Sequence, residues 1–361
     1  MKETDLNNKE TFSPLVPEYP INIGGVKVEN PIWLAPLAGI TIASVRKFYR
    51  SLGAGLVHTE MVSALGLCHK GRKTKELLYG SDEERPVALQ IFGSNEEDIA
   101  RGTDVALNIR RFEALQINMA CPMPKVTKKG SGSKLMEDPE TSAKIIKVMK
   151  KTGLPTWAKI RIMPATSAVT TSEYCELLFD SGVDFVFVHG RTPEQRYEGR
   201  ASRESVEEVA RRFPGMVGGS GDCYEPEDFL DYLRRGCAAV LAGRGILRDV
   251  FIISKTLKEL GADVPEEYWN PSLDFQSELL LELGRSIYNT EGQSLALMIS
   301  RRMLGALFKG FAGAVQLRRR GAITKTWQEM EELLLDWKNV QHMQPLDFTK
   351  EKFPNGVIGG P

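Results

Sequence analysis

No run of apolar residues in the 361-residue chain approaches the roughly twenty needed to cross a bilayer as a helix, so no membrane span is expected. An excess of one charge is missing too. Forty-seven basic side chains balance forty-seven acidic ones, so the chain as a whole is drawn to no particular partner and only local clusters can carry that argument. The five cysteines, Cys68, Cys121, Cys175, Cys223 and Cys237, include no C-x-x-C pair and are odd in number. Reduced thiols in a cytosol fit this better than a disulfide framework or a zinc site, and no metal centre is expected. The opening stretch MKETDLNNKETFSPLVPEYP is polar, with acids and prolines, and does not read as a secretory signal. A cytoplasmic protein is the expectation. Finally, no G-x-G-x-x-G follows the first apolar run, which weakens the case for an open, doubly wound sheet.

What is present is a repeat. From about residue 32 to 244 a short apolar run, a polar or glycine-bearing turn and usually a helix-like stretch recur eight times. The runs are IWLAPLAG, GLVHTEMV, PVALQIFG, ALQINMAC, PTWAKIRI, DFVFVHGRT, GMVGGSGD and AAVLAGRG. Stretches such as Pro139–Lys151, Thr171–Ser181 and Glu204–Phe213 carry apolar residues at helical spacing between them. Strands alternating with helices imply parallel β-α units, and eight of them in this length predict a (β/α)8 TIM barrel. The barrel is expected over 31–250, after a lead-in at 1–30. A turn-rich connection at 251–274 then leads to a small helical domain at 275–345 and a loosely ordered tail at 346–361.

Chemistry in a barrel belongs at the carboxyl ends of the strands. There Gln90 lies near the end of the third run, Asn118 ends the fourth, Lys159 and Arg161 lie late in the fifth on one face, and His189 ends the sixth. Any one of these reads as a hydrogen-bonded filler. Several together, one of them a lysine that is costly to bury alone, predict a ligand with many acceptors. The seventh run ends in Ser220-Gly221-Asp222 and the eighth in Gly243-Arg244-Gly245. Turns after strands seven and eight are the usual phosphate site of this fold. Glycine admits an oxyanion to backbone N–H groups, and arginine binds it through a fork. These residues predict a barrel holding a phosphorylated cofactor.

The segments APLAGIT, ALQIFGS, INMACPMPKVTKKGSGSKLM, AKIRI, FVHGRT and LAGRGIL resemble the tRNA-dihydrouridine synthases over about residues 31–250, and the helical tail fits as well. The cysteine–proline stretch with its lysine- and glycine-rich loop is the most specific of them. The resemblance implies FMN, reduced by NADPH or NADH, and a tRNA uridine as substrate. It places Pro36, Leu37 and Ala38 against the flavin ring and Gln90, Lys159 and His189 on its polar edge. It places Ser220, Gly221, Asp222, Gly243 and Arg244 around the phosphate. It makes Cys121 the acid that protonates C5 of the uracil while hydride from flavin N5 arrives at C6. A thiol of ordinary pKa is mostly protonated at neutral pH and can serve as that acid. The glycines and serines of 130–133 are expected to let its loop close over a base.

Asn118, Arg161 and Arg191 fall to the substrate side, Arg191 meeting either the substrate or an acid within the barrel. Lys128 and Lys129 are placed to meet RNA phosphates. Three positions depart from the family pattern: Ser220 stands for the usual Asn, Ile42-Ala43 for an Asp in the first loop, and Arg301-Arg302-Met303 for an arginine-lysine-histidine run.

Residues 301–325 hold Arg301, Arg302, Lys309, Arg318, Arg319, Arg320 and Lys325 and no acid, a local charge of +7 that predicts tRNA contact. No protein partner is implied. Two rival readings remain at this point. One is a flavin barrel acting on a free dihydropyrimidine such as dihydroorotate, which needs no basic tail. The other is a tRNA-binding platform without catalysis, which needs no Cys121, Lys159 or His189.

Overall fold

All eight apolar runs become parallel strands that close on themselves. The computed structural model describes residues 16 and 18–341, apart from Lys70, Lys309, Gly310 and Ala312. A short antiparallel hairpin comes first, β1 (Ile21–Ile23) and β2 (Val26–Val28). The barrel strands follow: β3 (Ile32–Leu34), β4 (Val57–His58), β5 (Val62–Ser63), β6 (Val87–Phe92), β7 (Ala114–Met119), β8 (Thr156–Arg161), β9 (Phe185–His189), β10 (Val217–Ser220) and β11 (Ala239–Ala242). Each pairs in parallel with the next around the ring, and β11 pairs with β3 while β4 pairs with β6, so the barrel closes. The second apolar run is split: β5 resumes after a break and pairs with the end of β6.

Helices connect the strands, and their starts obey local chemistry. Asn95 caps Glu96–Ile109 by accepting the Asp98 N–H, and Thr170 with Glu173 forms a reciprocal box at the start of Thr171–Asp180. The helix Ile252–Glu259 belongs to this unit as well, since Ser254 Oγ donates to the Leu52 carbonyl at 2.8 Å. The stretch expected to be a connection from 251 therefore begins with a barrel helix. The chain divides after Asn270. The second unit, by itself, holds four helices among the described residues: Leu273–Thr290, Gln293–Ala306, Ala314–Ile323 and Trp327–Gln341. The tail at 346–361 lies outside the described residues.

Inside the barrel the lower half is aromatic. Trp33 and Trp157 stack at 5.4 Å, and Phe185 and Phe187 close around them. Small inward residues, Ala88, Ala114 and Gly218, leave the room: a Cβ on Gly218 would sit 2.4 Å from the Phe187 ring. The hairpin plugs this end. Its Ile23, Val26 and Val28 join the same cluster, and Trp157 Nε1 donates to the Gly24 carbonyl at 2.7 Å. The plug was not foreseen within the lead-in.

Gly24 turns the hairpin at φ +56°, and a Cβ there would lie 2.6 Å from Phe185 Cβ and 2.7 Å from Trp157 Nε1. Gly24→Ala should therefore cost about 2–4 kcal/mol, combining a left-handed residue with a clash in the plug. Gly153→Ala, at φ +75° with open space around it, should cost only about 1 kcal/mol. Urea unfolding midpoints check both; equal losses would mean that the plug is not packed as described.

Candidate active site

The upper end of the barrel opens into a cavity. It is lined by Pro36, Leu37 and Ala38 from the loop after β3, and by Gln90, Asn118, Cys121, Lys159, Arg161 and His189 from β6 to β9 and their ends. Ser220, Gly221, Asp222, Gly243 and Arg244 complete the rim. Every residue assigned to a cofactor from sequence lies in this one lining. The strand register explains the grouping: Asn118 pairs with Lys159, Arg161 with His189, and His189 with Ser220.

The loop carrying Pro36–Ala38 is braced from below. Gly39 N–H donates to the buried Glu60 carboxylate, and Arg46 donates to the Thr41 carbonyl at 2.8 Å. Burial raises the Glu60 pKa, with the Gly39 N–H and Arg46 opposing it.

Cys121 is 9% exposed. Burial pushes its thiol up, and the Met123 backbone bond and the nearby Arg161 and Lys159 cations only partly offset this. The thiol is therefore held protonated. Its backbone is fixed at both ends: its N–H donates to Asn118 Oδ1 at 2.9 Å, and its carbonyl accepts the Ser133 N–H at 2.9 Å. The glycine loop is packed against the Cys121 backbone. Ser131 and Ser133 are buried, Gly132 has φ +63°, and a Cβ there would meet the Cys121 carbonyl oxygen at 2.5 Å. Glycine is required by the turn and by close packing on the thiol's own backbone.

Asn118 lines the cavity, yet its amide is fully committed. Nδ2 donates to Gln90 Oε1 and toward Met61 Sδ, while Oδ1 accepts the Ala120 and Cys121 N–H groups. Arg161 donates to the carbonyls of Ala120 and Thr192 at 2.7 and 2.9 Å, tying two loops together. Arg191 is 2% exposed and does not line the cavity; it grips both oxygens of Asp222 and the carbonyls of Glu198 and Gly199. Of the two partners considered for Arg191, the geometry supplies the acid.

Burial raises the Asp222 carboxyl, but the Ala201 N–H and the Arg191 and Arg244 guanidiniums outweigh it and hold the group below its ordinary range. Arg244 meets Asp222 at 3.1 Å and is 40% exposed, so its remaining donors face the rim. The backbone N–H groups of Asp222, Cys223, Arg244 and Gly245 donate to nothing among the described residues. Cys223 and Gly245 are buried residues, and unpaired donors in such places call for an acceptor.

Lys159 makes the same demand. It is 9% exposed, and no acceptor among the described residues takes a hydrogen bond from its amine. Burial, then repulsion from Arg161, lowers its pKa to about 7. Burial and the cations Lys159, Arg161, Arg191 and Arg244 hold His189 well below its usual value, so the imidazole is neutral. Sequence patterns gave no sign of other lining residues, Met61, Met123, Tyr197, Cys223 and Tyr224. Tyr197 lies under two guanidiniums, Arg161 at 5.6 Å and Arg244 at 5.2 Å. Lys128 and Lys129 are exposed beside the mouth.

In the second unit, Arg301, Arg302, Arg319, Arg320 and Lys325 are exposed. Arg301 donates to the Thr324 carbonyl, and Arg318 is half-buried with Nη1 unpaired. Lys309 lies outside the described residues. The stripe is free of acids only along the sequence: Glu329, Glu332 and Asp336 of the last helix share a groove with Arg320.

The profile of the family described as Dihydrouridine synthase (Dus) matches residues 33–343. A probable tRNA-dihydrouridine synthase of Treponema pallidum (strain Nichols) is 27% identical over 332 residues, covering 88% of this chain and 96% of that one. One of Aquifex aeolicus (strain VF5) is 32% identical over 236 residues, covering 64% and 73%. The solved structure of TcOYE with pHBA superposes with a TM-score of 0.51 at 12% identity, over 72% of this chain and 97% of that one, a likeness of fold alone. No helix among the described residues is long and apolar enough to cross a membrane.

An amine held at a pKa of about 7 is a liability to the empty fold. The unfolded chain keeps this proton up to about pH 10.5 and the folded chain only to about 7, so the cost is fully present below pH 7 and disappears as pH rises through 10.5. Lys159→Met should stabilise the ligand-free protein at pH 7 by an amount of order 3 kcal/mol, and by little at pH 10.5. Thermal unfolding at the two pH values checks this. An equal or lower Tm for the variant at pH 7 would show that the amine already has a partner.

Proposed function

The chain belongs to the dihydrouridine synthase family, and from that premise we propose that this oxidoreductase reduces particular uridines of tRNA to 5,6-dihydrouridine, using bound FMN and NADPH or NADH. The observation that carries the reading is a protonated, backbone-fixed Cys121 beside an unpartnered Lys159 in a barrel mouth whose rim offers free N–H groups. These residues fit FMN. Arg244 and the N–H groups of Asp222, Cys223 and Gly245 would hold its phosphate. Lys159 and Gln90 would meet the polar edge of its ring, and the Pro36–Ala38 loop its face. Bound there, FMN supplies the hydride that one carbon of the uracil 5,6 double bond requires.

The other carbon needs a proton, and Cys121 is the group placed to hold it. His189 is a poor candidate, because an imidazole surrounded by cations carries no spare proton near neutral pH. An acceptor or an anion reaching Lys159 would restore its charge, so ligand binding and lysine protonation support each other. A tRNA substrate also supports a cytoplasmic location.

Cys121→Ala should retain FMN and be reduced by NADPH at near-parental rates. Re-oxidation by unmodified tRNA should slow by a factor of about 100 to 10,000, the usual worth of a general acid. Stopped-flow absorbance of the cofactor reads this step, and a trace overlaying the parent would reduce Cys121 to a packing residue.

Lys128, Lys129, Arg301, Arg302, Arg319 and Arg320 are exposed cations proposed to meet tRNA phosphates. Arg319→Ala with Arg320→Ala should weaken tRNA binding and flatten its salt dependence by up to about one slope unit per lost contact, with FMN content unchanged. Binding titrations at several salt concentrations check it, and unchanged slopes would leave these arginines as a solvated helix face.

A further inference from the structure

His58 begins an unbroken line of side chains that ends on Cys121. It is fully buried, as are Gln116 and Gln90. His58 Nδ1 lies 2.8 Å from the Leu34 carbonyl oxygen, which can only accept, so Nδ1 carries the hydrogen. Burial, with Lys159 adding to it, lowers the His58 pKa to about 4, so the ring is neutral and Nε2 is an acceptor. Gln116 must then turn its NH2 toward Nε2, at 3.3 Å. Its Oε1 accepts from Gln90 Nε2 at 2.5 Å, and Gln90 Oε1 accepts from Asn118 Nδ2 at 2.9 Å. Asn118 Oδ1 is left to accept the Cys121 N–H at 2.9 Å and the Ala120 N–H at 3.1 Å.

The two ends of the line agree independently. The Leu34 carbonyl cannot donate and the Cys121 N–H cannot accept, and only one orientation of the three amides satisfies both. Reversing any amide would set donor against donor on one side and acceptor against acceptor on the other among buried groups, and an unmade bond there costs more than an ordinary one gains.

We propose that His58 is a positioning residue for Cys121: its Nε2 lone pair, relayed by Gln116 and Gln90, locks Asn118 in the orientation that clamps the Cys121 loop. The proposal rests on Cys121 being the working thiol. The test does not, because it reads the thiol directly and uses no tRNA.

His58→Gln places an acceptor near the Nε2 position. His58→Asn keeps a donor to Leu34 and removes that acceptor. Gln116→Met breaks the next link at similar volume and serves if either His58 variant fails to fold. The full-length protein, as purified, is treated with iodoacetamide, and alkylation of the Cys121 and Cys175 peptides is timed by mass spectrometry. Cys175 is fully buried on the helix Thr171–Asp180 and reports general loosening.

His58→Asn and Gln116→Met should expose Cys121 about tenfold faster, the worth of roughly one hydrogen bond in local opening, with Cys175 unchanged. His58→Gln should alkylate at the parental rate. Parental Cys121 rates in both His58→Asn and Gln116→Met would overturn the proposal. So would rescue by Asn but not by Gln, which would make the Leu34 bond the whole role of His58. A failure of Cys121 as proton donor would appear in the tRNA re-oxidation traces and leave these alkylation rates as they are.

Discussion

A closed ring of eight parallel strands gives its inward side chains no water to turn to, and much else in this molecule follows from that constraint. The lower half meets it with aromatics and small residues, sealed by the hairpin. The middle meets it with amides that satisfy one another in a fixed order from His58 to Asn118. At the upper end the protein's own partners run out. Lys159 projects an amine that nothing among the described residues accepts from, and four rim residues hold idle N–H groups. A ligand rich in acceptors and anionic at one end would complete this layer.

The charges of the mouth are divided between struts and working groups. Arg161 and Arg191 are locked onto backbone carbonyls and Asp222, so they cannot follow a substrate about. Their field still acts. Burial lowers the proton affinity of Lys159 and His189, and this field adds to it, from Arg161 at the lysine and from both arginines at the imidazole, which is neutral. Burial dominates at Cys121, where Arg161 and Lys159 favour a thiolate without prevailing, and the proton stays. The thiol and the imidazole thus respond oppositely to one site, and that separates the group able to give a proton from the group that has none to give.

The barrel could be read from the sequence because each strand is an apolar run bounded by turn residues, and the site because polar side chains end several of those runs. Other features lacked such a signal. The strands of the hairpin are three residues each and sit among prolines and glycines, so INIGGVKV read as part of a lead-in. The glycines at 130 and 132 suggested motion, since sequence shows that glycine permits unusual backbone but not that packing demands it, as it does at Gly132. His58 and Gln116 were invisible as function because each is one polar residue inside an apolar run. The period-two spacing that puts Gln116 on the face of Asn118 was the available clue, and it gains meaning only when Gln90 is seen beside it in register.

The basic segment shows where linear charge misleads. Seven cations without an acid in 25 residues suggest a strong field, but helices bring distant residues together. The last helix sets Glu329, Glu332 and Asp336 around Arg320, and Arg318 is half-buried. Binding to a polyanion scales with the phosphates actually neutralised, so the effective charge of this face is smaller than its composition. Arg320 shares its groove with those three carboxylates, so its field is partly cancelled before any polyanion arrives.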